Sequence, residues 1–217
     1  RLKLSAPHAA AALAFCAAPV LFGFAAPAGV LLAKLDLSGA SDIAMRNLGQ
    51  AVVNTALIAA SGAILAALLA VILAYGARTG RGRIGKLFLR AATLGYAVPG
   101  AVMAIGVLAL SSGFARITGH ALAGGVIVLL YAYVARFLTA GYNAAAGGMA
   151  QVSPQIDAAA KMLGAAPARL VREIHWPMAR ASVLAGAAIV AIDIAKELPA
   201  TLILRPFNFE TLSTQIY

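Results

Sequence analysis

The stretch that decides the fold is Val152-Ser-Pro-Gln-Ile-Asp-Ala-Ala-Ala-Lys-Met-Leu-Gly-Ala-Ala-Pro-Ala-Arg-Leu-Val-Arg-Glu-Ile-His-Trp-Pro177. It is polar, it interrupts an otherwise apolar chain, and its punctuation predicts two short helices. Ser153 stands where a hydroxyl can accept from an unpaired N–H of a first helical turn. Pro154 follows at the first helical position, where no N–H is needed. Gly164 is placed to stop that helix in the left-handed conformation that a Cβ penalises. Pro167 opens a second short helix, and Pro177 closes the segment before the next apolar run. The expected product is a small, rigid, solvent-facing knob between two membrane spans, suited to docking into another protein's groove.

Working outward, 62% of the 217 residues are hydrophobic. A soluble domain of this length cannot hide so much apolar surface, so a bilayer is the expected solvent. The formal charge of +10 would suggest nucleic acid if the cations were clustered on a soluble face. They lie instead between apolar runs without interleaved aromatic side chains, which removes nucleic acid as a partner and leaves membrane lipid. Cys16 is the single cysteine, so these residues can form no internal disulfide and no thiolate metal site. The sequence opens on Arg1 rather than Met, as a fragment of a longer chain would. Residues 1–28 imitate a secretory signal, with Arg1 and Lys3, an apolar run and Ala26-Pro27-Ala28. The apolar run continues through Gly29-Val30-Leu31-Leu32, too long for a signal core, and is read as a span.

Five spans of about 20 or more residues are expected, each enough to cross roughly 30 Å of hydrocarbon. They cover about residues 13–33, 48–76, 91–110, 121–142 and 182–204. The fold class is thus an all-α polytopic bundle. Residues 1–47 form a first helix with its outer loop, and 48–217 the main transmembrane domain, with a loop region at 143–181. Arg78, Arg81, Arg83, Lys86 and Arg90 crowd the second connection, and Lys161, Arg169, Arg172 and Arg180 the fourth. In the first loop Lys34 and Arg46 are balanced by Asp36 and Asp42, and the third carries only Arg116 and His120. The positive-inside rule therefore places the second and fourth connections, and with them the knob, in the cytoplasm. Gly80-Arg-Gly-Arg-Ile-Gly85 has the spacing of a dinucleotide fingerprint, but no strand precedes it; it reads as a flexible turn.

Two features inside the spans invite a functional reading. Pro99-Gly100 in the third should kink the helix near Ala97, either as a packing bend or as a pivot beside a transport path. The fifth holds Asp193, Lys196 and Glu197, followed by Pro199. Ionised groups at a helix centre cost about 2.5–3.5 kcal/mol each, so they face protein or water. Their spacing puts the three on one helical face. Asp193 can pair with Lys196 while Glu197 reaches Arg136 in the fourth span, or the group can line or gate a passage. Pro199 should end regular helix and free carbonyls near Ala195. His8, His120 and His175 lie in three separate loops, too dispersed for a metal cluster, and no nucleophile–base pair appears.

Ala158-Ala159-Ala160, three residues, Gly164, nine residues, Ile174, two residues, Pro177 resembles the coupling ("EAA") loop of bacterial ABC-importer permeases. Ala158 stands where that pattern has Glu and Trp176 where it has Leu; Asp157, one residue earlier, carries a charge from a different helical face. The segment Lys196 to Tyr217, above all Arg205-Pro206-Phe207-Asn208-Phe209-Glu210, resembles ferric-iron importer permeases, as do Asn54-Thr55 and Arg136-Phe137. The resemblance implies the second half of a two-half chain, cut before its last span, in a bacterial inner membrane. It implies ATPase subunits, which carry ATP and Mg, at the coupling loop. It also implies a periplasmic protein that binds the substrate, so that the permease itself is not an enzyme and needs no metal ligands. Thiamine and polyamine permeases share the wider fold. From another class, an ion-coupled carrier or channel could use the same buried charges without needing a knob, and a scaffold subunit would transport nothing.

Overall fold

The computed structural model describes residues 5–34, 42–80, 83–119 and 125–217. Arg1, Lys3, Asp36, Arg81, His120 and the expected start of the fourth span at Ala121 lie outside the described residues, as do the side chains of Asp42, Arg83 and Lys86. Every regular element among the described residues is a helix. The chain divides into two compact units, Arg1–Met45 and Arg46–Tyr217.

The first unit carries α1 (Ala6–Val20), a wide turn at Leu21–Ala25 and α2 (Ala26–Ala33). Together they make one 28-residue apolar helix, long enough to cross a membrane. In the wide turn the Ala26 N–H reaches the Leu21 carbonyl, five residues back. A proline ring collides with the carbonyl four residues before it, so loosening the turn just ahead of Pro27 relieves that clash.

From α3 (Asp42–Thr79) onward the elements are α4 (Arg83–Ala92), α5 (Gly100–Thr118), α6 (Val126–Ala150), α7 (Pro154–Met162), α8 (Pro167–Leu170), α9 (Trp176–Ala195), α10 (Pro199–Leu204) and α11 (Leu212–Ile216). The distribution of side chains on α3 decides the environment. Ala51, Ala59, Ala63, Ala66, Ala70 and Ala74 point inward and are at most 7% exposed, whereas Leu57, Ile64, Leu68 and Ile72 point outward and are 57–66% exposed. In water the reverse would win, since burying one such aliphatic side chain gains about 1.5–3 kcal/mol. Small residues inside and large ones outside are what hydrocarbon solvent permits. Five helices among the described residues are long and apolar enough to cross a membrane: Ala6–Ala33, Ala44–Thr79, Gly100–Thr118, Val126–Ala150 and Pro167–Ala195. The expected all-α, five-span architecture is the one observed.

The central pair is α6 against α9, and its seam is built from small residues. A Cβ on Gly186 would lie 2.5 Å from the Ala144 Cβ, and one on Gly148 would lie 2.9 Å from the Ser182 Cβ. Around this seam lie two cores, one centred on Leu129, Tyr133, Ile194 and Leu204, the other on Ala70, Ala145, Met149 and Val183.

Several boundaries differ from the sequence reading. The kink expected at Pro99 is a full break. After α4 come a short 3-10 turn at Gly95–Ala97, extended Val98 (ψ 127°) and Pro99 as the residue that caps α5. A residue before proline is driven out of the helical region, which is why the chain leaves the helix at Val98 instead of bending through it. The third span is therefore Gly100–Thr118, shifted from 91–110, and Gly85 sits inside α4, not in a turn. The helix of the fourth span continues to Ala150, so residues 143–150 are helical and extend α6. Pro177 does not close the polar segment. Residues Pro167–Ala195 form one helical run, with a wide turn at Val171–His175 in which the Trp176 N–H reaches Val171. This is the device seen before Pro27, and it lets the second short helix merge into the fifth span. Pro199 both follows the end of α9 at Ala195 and opens α10.

The close seam predicts opposite outcomes for two glycine substitutions. Gly186→Ala should destabilise the detergent-solubilised protein by about 1–3 kcal/mol through overpacking. Gly113→Ala, where the added methyl meets nothing within 4 Å, should leave the thermal unfolding midpoint unchanged or slightly raised.

Candidate functional site

Helix α7 forms as the spacing of Pro154 and Gly164 requires, except at its start. Ser153 occupies the N-cap position with extended backbone, but its side chain makes no capping hydrogen bond. The C-terminal end follows the chemistry of glycine closely. Gly164 has φ +79°, its N–H donates to the Lys161 carbonyl, and the Ala165 N–H donates to the Ala160 carbonyl, both at 3.0 Å. This paired closure satisfies the last carbonyls of α7 and needs a left-handed residue at that one place. Ala158 and Ala159 are exposed on α7, and Met162 and Leu163 at its tip are 89% and 88% exposed. Ala160 and Ile174 instead face each other across a small cleft of about 200 Å³, with Leu163 and Leu170. Pro177 lies beyond the cleft, on the exposed side of α9.

Asp157 turns away from that tip. Its Oδ2 accepts from Arg78 Nε at 2.9 Å, and its Oδ1 lies 3.0 Å from Nε2 of His175. Arg78, in the last turn of α3, also donates Nη1 to the Met149 carbonyl at 2.8 Å and Nη2 to the Val152 carbonyl at 2.6 Å. His175 is buried and meets the Tyr75 ring edge-on at 5.7 Å. Asp157 thus joins the end of α3 to the turn that leads into α9, and Arg78 adds the end of α6 to the same cluster. The charge at Asp157, read from sequence as a stand-in at the loop surface, is consumed internally. The contact also brings the second and fourth connections, the two cation-rich ones, to the same end of the bundle. Lys161, Arg169, Arg172 and Arg180 are exposed there, with Arg169 paired to Glu173 at 2.9 Å.

The charges expected in the fifth span separate into two pairs rather than sharing one face, and Lys196 and Glu197 lie just past its end at Ala195. Because α9 ends at Ala195, Lys196 folds back and its Nζ lies 2.7 Å from Asp193 Oδ1. Asp193 is buried, while the Lys196 side chain is 69% exposed. Glu197 points elsewhere: its Oε1 lies 3.1 Å from Arg136 Nη1 on α6 and accepts from the Ala200 N–H at 3.3 Å. Glu197 thereby satisfies an orphan donor in the first turn of α10, which Pro199 leaves in need of a partner. Tyr133 and Thr201 close the same network, with Thr201 donating to the Glu197 carbonyl. The structure also gives Gly100 a reason to be glycine. A Cβ there would collide with both Arg136 Nη1 and Glu197 Oε1, so the ion pair rests directly against the first turn of α5. Gly95 is constrained more tightly still, since its Cβ would strike the Ala135 carbonyl, a backbone group that cannot swing aside.

At the other end, residues 205–217 fold back onto the start of the second span. Asn54 Nδ2 donates to the Glu210 carbonyl at 2.9 Å, and the Leu212 N–H donates to Thr55 Oγ1 at 2.8 Å. Arg205 pairs with Glu210, and Thr211 and Thr214 cap α11 reciprocally. Among the described residues no group of three or more His, Cys, Asp or Glu side chains could hold a metal ion. Sequence reasoning counted Arg78 only among the cations of the second connection, and did not single out Tyr75 at all. The only available signal was an arginine at the helix end nearest a carboxylate-bearing loop, and that pairing spans 79 positions.

The fold and these charge pairs define a multi-pass helical membrane protein. In sequence it is similar to a transport permease: the Fe(3+)-transport system permease protein FbpB 2 of Haemophilus influenzae is 29% identical over 164 residues, 76% of this chain. The chain spans 32% of that relative's length. No protein-family model matches it.

Gly100 gives the sharpest test of the Arg136–Glu197 geometry. Gly100→Ala should force the pair apart and lower stability by about 1–3 kcal/mol. In an Arg136→Met, Glu197→Gln background the added methyl should cost measurably less. A double-mutant comparison of thermal midpoints reads the difference, and equal costs in both backgrounds would contradict the assignment.

Proposed function

We propose that this chain is the pathway-forming permease part of an ATP-driven importer in a bacterial inner membrane, and that its cargo is ferric iron. The observation that carries the reading is α7, a short helix stopped by a left-handed glycine, with an exposed apolar tip at Met162 and Leu163. Its spacing matches the coupling loop of ABC-importer permeases, and a relative named as an Fe(3+)-transport permease covers most of the chain. The five spans and the cation-rich end that carries the loop fit the same reading.

In this reading ATPase subunits, charged with ATP and Mg, dock on the exposed residues around Met162 and Leu163. The permease half hydrolyses nothing itself. Closure of the ATPases pushes α7, and the push passes through α8 into the continuous Pro167–Ala195 helix. The far end of that helix carries Asp193–Lys196 and, just beyond, Glu197 against Arg136. A displacement there repacks the wall of the passage between inward-open and outward-open arrangements. The exposed ammonium of Lys196 would cost about 2.5–3.5 kcal/mol against lipid, so in this reading it faces the passage or another protein segment. Cargo arrives on a periplasmic binding protein.

Gly164 separates this reading from a carrier that needs no motor. Gly164→Val places a β-branched residue at φ +79°, a strain of about 1–3 kcal/mol, whereas Asn tolerates that region. In the assembled complex Gly164→Val should lose substrate-stimulated ATP hydrolysis while co-purifying with the ATPase, and Gly164→Asn should retain most of it. Stimulation unchanged in both variants would count against the proposal.

A further inference from the structure

We infer that Arg78 is the positioning residue that makes the second span, α3, a driven element of the transport cycle. This rests on the coupling role proposed for α7. Covalent connectivity links α7 only to its neighbours in sequence, α6 before it and the α8–α9 run after it. Nothing in the backbone carries a push from α7 to α3, which ends far upstream at Thr79.

Arg78 supplies that link with a geometry only a guanidinium offers. Three of its nitrogens donate to three acceptors on two segments: Asp157 on α7, and the Met149 and Val152 carbonyls where α6 runs out into the loop. Those carbonyls lie at the C-terminal end of a helix, where backbone partners are lacking and a cation is favoured. Lysine, a single point charge, cannot span the three acceptors. The Arg78 and Asp157 side chains are only 17% and 19% exposed, so water screens the pair little. On its other side Asp157 Oδ1 lies 3.0 Å from Nε2 of buried His175, whose ring packs edge-on against Tyr75, one helical turn before Arg78 on α3. The joint therefore closes on itself from α3 to α7 to the α9 run and back to α3. A rigid displacement of α7 must carry α3 with it or break this cluster. It also follows that Asp157 is not offered to a partner, and that docking falls to the apolar tip and its surrounding cations.

The experiment uses the full-length permease in lipid nanodiscs, with Cys16 replaced by serine and nitroxide labels at Met162→Cys and Ile72→Cys. Both positions are exposed, one at the tip of α7 and one on the outer face of α3. Without any ATPase present, the label distance should be narrowly distributed, broad in Arg78→Gln and intermediate in Arg78→Lys. A distribution unchanged in Arg78→Gln would overturn the inference. In the assembled complex, Arg78→Gln should co-purify with the ATPase and still hydrolyse ATP. Transport per ATP should fall by about 2- to 30-fold, the range for substitutions that change coupling without touching a ligand. Arg78→Lys should recover part of that loss. A broadened distance with transport per ATP unchanged would also overturn it, since α3 would then be held but not driven. If the wild-type complex shows no substrate-dependent ATP hydrolysis, the importer reading fails, and the distance measurement still decides whether Arg78 holds the loop. Should Arg78→Gln not accumulate, Asp157→Asn removes the charge while preserving the shape of the acceptor and takes its place in every arm.

Discussion

A backbone inside hydrocarbon must satisfy its own N–H and C=O groups, and each interruption of a helix leaves some of them open. Among the described residues of the second unit, prolines break or distort the helical course at Pro99, Pro177 and Pro199, and the way each is covered explains much of the packing. At Pro99 the break is laid against α6: Gly95 approaches the Ala135 carbonyl, and Thr139 Oγ1 donates to the Thr93 carbonyl at 2.9 Å. At Pro177 the helix stays continuous by widening one turn. At Pro199 a carboxylate does the work, with Glu197 serving both the Ala200 N–H and Arg136. Polar side chains in the spans are thus first of all repairs to the backbone. Because the repairs lie where helices are broken, they also sit at the joints where elements can move.

The long helix α3 ties the two ends of the bundle together. Asn54 and Arg78 are separated by about 36 Å at about 1.5 Å per residue, enough to cross roughly 30 Å of hydrocarbon. Near one end Asn54 and Thr55 hold the 205–217 segment; at the other Arg78 holds α7 and the end of α6. Between them α3 presents alanines to its neighbours, so there is little side-chain interlocking to resist sliding or tilting. Polar clamps at both ends of a smooth shaft are a reasonable mechanical basis for a helix that moves as one piece.

What could be read from the sequence followed from local chemistry. Apolar runs revealed the spans, and cations marked the two connections that share an end. Gly164 disclosed a left-handed stop because few other residues can make one. Lys196 pointed to Asp193 because three positions on a helix are neighbours. Local reading failed where long-range packing decides. Pro177 looks like a terminator until the wide turn before it is seen. The requirement for glycine at position 100 comes from two side chains distant in sequence, Arg136 on α6 and Glu197 between α9 and α10. Asp157 seemed to be a surface charge because its partner lies 79 positions away. Ser153 has the right residue type and backbone for a cap, yet its hydroxyl is not used.

The account stands on the knob and the 205–217 segment lying on opposite sides of the membrane. Single cysteines at Met162 and Phe207, both highly exposed, report this directly in a background with Cys16 replaced. A membrane-impermeant maleimide applied to spheroplasts should label the cysteine at 207 and not that at 162, and inverted vesicles should give the reverse. Labelling of position 162 from outside the cell would put the knob where no cytoplasmic ATPase could reach it, and would contradict the account at its root.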